Sequence, residues 1–247
     1  MGVWRNPISH TAHTPILPYI PCTYPAIGRW INMGFELFRD RTDAGRRLAE
    51  RLTEYEGRDA VVLAIPRGGV PVGFEVAKRL GAHFDVIVPR KIPIPWNTEA
   101  GMGAITADGT MVLNEGMIRS LGLSKEEIEL AAEEVRQEVI RRTAVYRAGA
   151  PPTDVTGKPV ILVDDGLASG YTMLAAVESV KKDAPSSIVV AVPVASNGAA
   201  RLISPQVSQL MALIVSERLP FAVADFYLEW RDLADEEVLG YLGEHDA

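Results

Sequence analysis

The sequence predicts an α/β protein built on a Rossmann-like parallel sheet flanked by helices. Three observations carry that expectation. Short, nearly continuous apolar runs, such as AVVLAI at 60–65 and PVILV at 159–163, alternate with segments of helical period. Glycine and proline cluster at the ends of those runs, where a parallel sheet turns into its crossover helices. At 247 residues, 47% hydrophobic and 23% charged, the chain is long enough to bury one sizeable core.

The elements follow in order. Residues 1–32 carry Pro7, Pro15, Pro18, Pro21 and Pro25 with neither helical nor strand period, and are expected to be disordered or an upstream extension of a domain at 33–247. From Thr42, with Thr42 or Asp43 as N-cap, Ala44, Leu48, Ala49, Leu52 and Tyr55 share one helical face. Ala60 to Ile65 reads as a buried strand, Pro71 to Leu80 as a helix stopped by Gly81, and Phe84 to Val88 as the next strand. Residues 89–111 hold Pro89, Pro93, Pro95, Gly101, Gly103 and Gly109, which predicts a long loop with strand only near Met102–Thr106. Loops of that length are commonly lids, and 92–110 is the candidate.

Ser124 and Glu127 form a capping box for a long helix ending near Gly149. Strands at Pro159–Val163, Ser187–Pro193 and Leu210–Val215 then alternate with helices at Thr172–Lys182 and Gly198–Ile203. The last residues are strongly acidic, yet Phe226, Tyr227, Leu228, Trp230, Leu233, Val238 and Leu242 predict packed structure there.

Composition excludes several function classes. A net charge of -7 argues against a general nucleic-acid binder, so any phosphate must be held locally. Cys22 is the only cysteine and cannot close an internal disulfide, which suits a reducing, cytoplasmic location. His10, His13, His83 and His245 are too scattered for a structural zinc site. No apolar run reaches membrane length and the first residues lack the basic and apolar pattern of a secretory signal, so a soluble, unexported protein is expected.

The most specific signal is Val163-Asp164-Asp165-Gly166-Leu167-Ala168-Ser169-Gly170-Tyr171-Thr172, between a buried strand and a helix start. A helix N-terminus offers unpaired N–H groups and a positive dipole end to a phosphate, while Ser169 and Thr172 add hydroxyl donors. Gly166 and Gly170 permit tight turning. A purely structural strand-to-helix turn needs one glycine and a cap; it does not need two aspartates. The lysine of a nucleotide-triphosphate loop is missing and no G-x-G-x-x-G spacing occurs, so those two phosphate motifs are excluded.

This loop resembles that of the type I phosphoribosyltransferases, which bind 5-phosphoribosyl-1-diphosphate (PRPP). The likeness extends to Phe38-Arg39-Asp40-Arg41, Ile65-Pro66-Arg67-Gly68-Gly69, Arg90-Lys91 and Asp235-Glu236-Glu237-Val238, covering roughly residues 35–242 and pointing to a bacterial and archaeal group with no established acceptor. The resemblance implies the fold of that family, with a small hood and lid. It implies a transferase that uses PRPP and Mg²⁺, held mainly through PRPP, to glycosylate a small nitrogenous acceptor, with homodimers common. Asp164 and Asp165 would then bind the ribose hydroxyls, and Gly166, Ala168, Ser169, Gly170, Tyr171 and Thr172 the 5′-phosphate. Arg67, Gly68, Gly69 and Lys91 would hold the diphosphate, with Arg67 and Lys91 as the catalytic cations and no dedicated metal ligands. Ala168 stands where 6-oxopurine enzymes of the family keep an aspartate general base, which disfavours hypoxanthine and guanine as acceptors. A non-catalytic regulatory protein binding PRPP or a nucleotide on the same fold is the alternative. In either case the terminal segments would form the hood, with Phe226, Tyr227 and Trp230 read as core aromatics or as a stacking surface.

Overall fold

A computed structural model describes residues 37–245; the expectation for 1–32, and with it the expected domain start at 33, falls outside them. Five parallel strands form the central sheet in the order β2-β1-β6-β7-β8, comprising β1 (Val61–Ala64), β2 (His83–Val86), β6 (Pro159–Val163), β7 (Ser187–Ser196) and β8 (Gln209–Ser216). Both faces are covered, which is why the strands read as continuous apolar runs. Val62, Ala64, Ile161 and Val163 join the core on the side of α2 (Gly69–Leu80), where α7 (Asp235–His245) also packs through Val238. Val61, Leu63, Val160 and Leu162 face α5 (Tyr171–Lys181) and α6 (Asn197–Ile203) on the other side.

Helix α1 (Arg41–Ala49) begins one residue earlier than expected, because Asp40 rather than Thr42 or Asp43 is the N-cap and accepts from the Asp43 amide. Leu52 and Tyr55 lie past its end, with Leu52 still fully buried. Helix α2 starts at Gly69, two residues before Pro71, and ends as expected on the left-handed Gly81. Strand β7 runs three residues beyond Pro193, and α4 (Lys125–Arg147) carries the expected capping box.

The main departure is at 89–111. In place of a long loop there is a second, antiparallel sheet of β3 (Arg90–Ile94), β4 (Asn97–Ile105) and β5 (Met111–Leu113). Its apolar side, Ile92, Ile94, Met102 and Ile105, packs under α4 and a short helix α3 (Glu115–Leu121) that the sequence pattern does not reveal. The residues that suggested a loop serve the strand pairing. A side chain at Gly101 would overlap the Lys91 stem, one at Gly103 would overlap the Val112 carbonyl, and Pro93 sits where the β3–β4 register shifts.

The C-terminal aromatics Phe226 and Tyr227 are buried against Phe38 and Val194, whereas Leu228, expected to pack, is exposed. Among the described residues no helix is long and apolar enough to cross a membrane. Leu162 is fully buried, so Leu162→Ala should cost about 3 kcal/mol in urea unfolding. Trp96→Ala, at a 62% exposed position, should stay within about 0.5 kcal/mol of the parent.

Candidate functional site

Strand order reverses between β1 and β6, since β1 leads through α2 to β2 on one side and β6 through α5 to β7 on the other. In open parallel sheets the crevice beyond the carboxyl ends at such a point is where ligands bind. The Arg67-Gly68-Gly69 loop and the two-aspartate loop both emerge there. They are also pressed together. The Ile65 amide donates to the Val163 carbonyl at 2.8 Å, and a Cβ on Gly69 would lie 2.8 Å from that same oxygen and from Asp164 Cα. A Cβ on Gly68 would overlap the Asp165 carboxyl. The Pro66–Arg67 peptide is cis.

The two acids are held from three directions. The Asp165 amide donates to Asp164 Oδ1 at 2.8 Å, Arg41 Nε donates to Asp165 Oδ2 at 2.8 Å, and the Tyr227 hydroxyl donates to the Asp165 carbonyl at 2.7 Å. Burial pushes the Asp164 carboxyl well above the usual carboxylate range, with the neighbouring Asp165 charge adding to the effect. Burial raises Asp165 as well, against the opposing pull of Arg41. The buried Tyr227 hydroxyl is raised by the same loss of water, with the Asp165 charge second.

The rest of the loop is pinned at Leu167 and open at its tip. The Leu167 amide donates to the Val194 carbonyl and the Ser196 amide to the Leu167 carbonyl, each at 2.8 Å, while Ser196 Oγ donates to the Ala168 carbonyl at 2.7 Å. Ala168 and Ser169 are exposed. Gly170 turns the chain into α5 with φ 84°, a left-handed conformation that favours glycine, and Tyr171 and Thr172 open the helix. Gly166 is required by contact instead, since its Cβ would lie 2.6 Å from Val223 Cγ1. Residues 168–172 therefore present a helix N-terminus and the Ser169 and Thr172 hydroxyls next to the acid pair in the chain.

Arg67 reaches across the crevice to Asp235 at the start of α7, at 3.6 Å. Asp235 also accepts a 2.6 Å hydrogen bond from the Tyr146 hydroxyl, which holds its carboxyl below the usual range, while burial and then Asp235 push Tyr146 up to about 12. Lys91 comes from the second sheet. It lies on β3, in a cleft lined also by Arg90, Pro93, Thr98, Glu134 and Glu138. Arg90 pairs with Glu138 at 3.3 Å, and Glu138 is drawn down to about 2 chiefly by its hydrogen bond from Arg141.

A family model described as the phosphoribosyl transferase domain matches residues 38–215. The chain belongs to the phosphoribosyl transferase family. Two proteins of Mycobacterium tuberculosis, from strains CDC 1551 and H37Rv and each named "Putative phosphoribosyl transferase", are 37% identical to it over 207 residues. That match takes in 84% of this chain and 46% of theirs, so the chain spans about half the length of these relatives. The crystal structure of TT1426 from Thermus thermophilus superposes with a TM-score of 0.71 at 38% identity, over 84% of this chain and 98% of that one. The parallel sheet is thus the sheet of this family. The matched region begins at Phe38 and so includes Arg41, but it stops before the segment that carries Tyr227, Trp230 and Asp235.

Four residues of the site escaped sequence reasoning: Arg41, Tyr146, Tyr227 as a hydrogen-bond donor, and Asp235 as the partner of Arg67. Arg41 and Asp235 stood in stretches that carried the family resemblance, but no role attached to them there. The tight fit at Gly69 has a measurable consequence. Gly69→Ala should destabilise by about 1–3 kcal/mol, because backbone atoms must move. Gly240→Ala, in α7 with nothing within 4 Å of the added Cβ, should stabilise by about 0.5–1 kcal/mol. Thermal unfolding of the two variants reads both signs.

Proposed function

We propose that this chain is a phosphoribosyltransferase that binds PRPP with Mg²⁺ and transfers the phosphoribosyl group to a small nitrogenous acceptor, releasing diphosphate. One observation carries the reading: Asp164 and Asp165 are held against the side-chain-free Gly68-Gly69 step, with the N-terminus of α5 alongside. Paired carboxylates accept hydrogen bonds from the 2′- and 3′-hydroxyls of a ribose, and they suit no phosphate. Gly166 and residues 168–172 then receive the 5′-phosphate on helix N–H groups and the Ser169 and Thr172 hydroxyls. The diphosphate lies over the Gly68-Gly69 turn, where the Gly69 amide is already given to the Ile65 carbonyl at 3.0 Å, with Arg67 leaving Asp235 to pair with it.

In this reading the acceptor nitrogen forms a bond to ribose C1 as the bond from C1 to the diphosphate oxygen breaks, the electron pair leaving with diphosphate. The acceptor's proton is lost after attack. Mg²⁺ would be held mainly through PRPP, whose diphosphate oxygens are hard donors of the kind it takes, and would supply neutralising charge to the leaving group. Lys91, carried on β3, is the second cation if the small sheet moves toward the crevice. That sheet takes the part of the lid expected at 92–110.

Titration with PRPP and Mg²⁺ by calorimetry, followed by diphosphate release with a panel of purine, pyrimidine and other nitrogenous acceptors, tests the proposal. Acceptor-dependent release establishes the transferase; binding without release from any acceptor supports the regulatory alternative, and no binding removes both. The folded double variant Asp164→Ala, Asp165→Ala should bind PRPP about 100-fold more weakly, the loss of roughly two charge-assisted hydrogen bonds. Arg67→Ala should weaken PRPP more than ribose 5-phosphate, which carries no diphosphate. Equal losses for the two ligands would remove the diphosphate role of Arg67.

A further inference from the structure

Arg41 is an arginine placed where few are found. Only 9% of its side chain is exposed, and its guanidinium is committed on three sides: Nε to Asp165 Oδ2 at 2.8 Å, Nη1 to the Arg231 carbonyl at 2.8 Å, and its flat face over the Trp230 ring at 3.8 Å. Asp165 is itself only 14% exposed and adjoins a second carboxyl, so two acidic groups share a site from which water is largely excluded, which disfavours charge on both. The groups that face Asp165 are Asp164 from its own loop, the Gly68 step of the loop after β1, Tyr227 from the C-terminal segment and Arg41 from α1. Arg41 is the cation among them.

We propose that Arg41 is a positioning residue for the ribose site: clamped between Trp230 and the Arg231 carbonyl, it keeps Asp165 ionised and aimed as a hydrogen-bond acceptor. The proposal rests on the reading of Asp164 and Asp165 as the ribose-binding pair. Its physical basis is the sandwich. Trp230 and the Arg231 carbonyl belong to the C-terminal segment, and Asp165 follows β6, so one side chain from α1 ties the hood to the acid pair. A guanidinium is always charged and presents its donors in a fixed plane, so it can ion-pair at one edge, satisfy a carbonyl at another and stack at the same time. A lysine offers the charge without the plane. If Asp165 were protonated, a ribose hydroxyl would meet a neutral carboxyl, and the charge-assisted hydrogen bond that an ionised carboxylate accepts would be lost.

The sign of the effect follows. Removing Arg41 takes away the largest contribution that opposes burial at Asp165, so its ionisation moves to higher pH. Below that new midpoint PRPP binding is penalised; above it the penalty fades.

The test uses the full chain. Carbon-13 spectra of labelled aspartate side chains, with Asp165→Asn supplying the assignment, follow Asp165 ionisation without ligand in the parent, Arg41→Gln and Arg41→Lys. Calorimetry with PRPP and Mg²⁺ at about pH 5.5 and about pH 8.5 follows binding in the same proteins. Asp165 should ionise at least about one unit higher in Arg41→Gln, with PRPP weakened about tenfold or more at the lower pH and clearly less at the higher. Arg41→Lys should restore most of the ionisation shift. If Arg41→Gln does not fold, Trp230→Leu, which removes the face that holds the guanidinium, should move Asp165 ionisation in the same direction. Unchanged Asp165 ionisation in a folded variant overturns the proposal, as does a binding loss that is equal at both pH values and not rescued by lysine. A parent protein that ionises as described but does not bind PRPP overturns the phosphoribosyltransferase reading and, with it, the ribose role of the acid pair.

Discussion

The close approach of two loops at the centre of the sheet governs this structure. The chain after β1 lies directly on the chain after β6, and it can do so only because residues 68 and 69 have no side chains. Those contacts fix the acid pair relative to Arg67 and set where α2 begins. A methyl group at residue 69 would meet main-chain atoms, so the spacing is built into the backbone rather than left to side-chain adjustment.

Around that contact the molecule is organised by charge. The two aspartates are a liability for the fold, since burial raises both carboxyls and two adjacent negative charges disfavour each other. Charge is offset locally: Arg41 faces Asp165, Asp235 faces Arg67, and the Tyr146 hydroxyl steadies Asp235. Arg41, Tyr146 and Asp235 all come from outside the two loops themselves, from α1, α4 and α7. The site therefore draws on the whole chain from residue 41 to residue 235, although its most specific signal spans ten residues.

The parallel sheet was legible because its strands are covered on both faces, and burial on both faces is what an uninterrupted apolar run such as PVILV records. The loop after β6 was legible because two adjacent acids followed by small residues and a helix start have a definite chemistry. The small sheet was not, because Gly101, Gly103 and Pro93 carry the local signature of a loop while serving close strand pairing and a register shift. Arg41 was not legible either. Nothing in the stretch Phe38 to Arg41 indicates that its last side chain meets an aspartate 124 residues away, a contact that exists only once α1 has docked and Trp230 lies over it. The Asp40 cap shows the same limit on a smaller scale, since Asp40, Thr42 and Asp43 are all good caps by type and only the backbone geometry chooses among them.

The central claim is a placement of PRPP across the switch point, and the most direct measurement is a crystal structure of the chain with PRPP and Mg²⁺. The account predicts the ribose hydroxyls on Asp164 and Asp165, the 5′-phosphate among residues 168–172, and the diphosphate over Gly68 and Gly69 with Arg67 turned away from Asp235. Electron density for PRPP with its ribose away from the aspartate pair, or with the two phosphate ends exchanged, would contradict it.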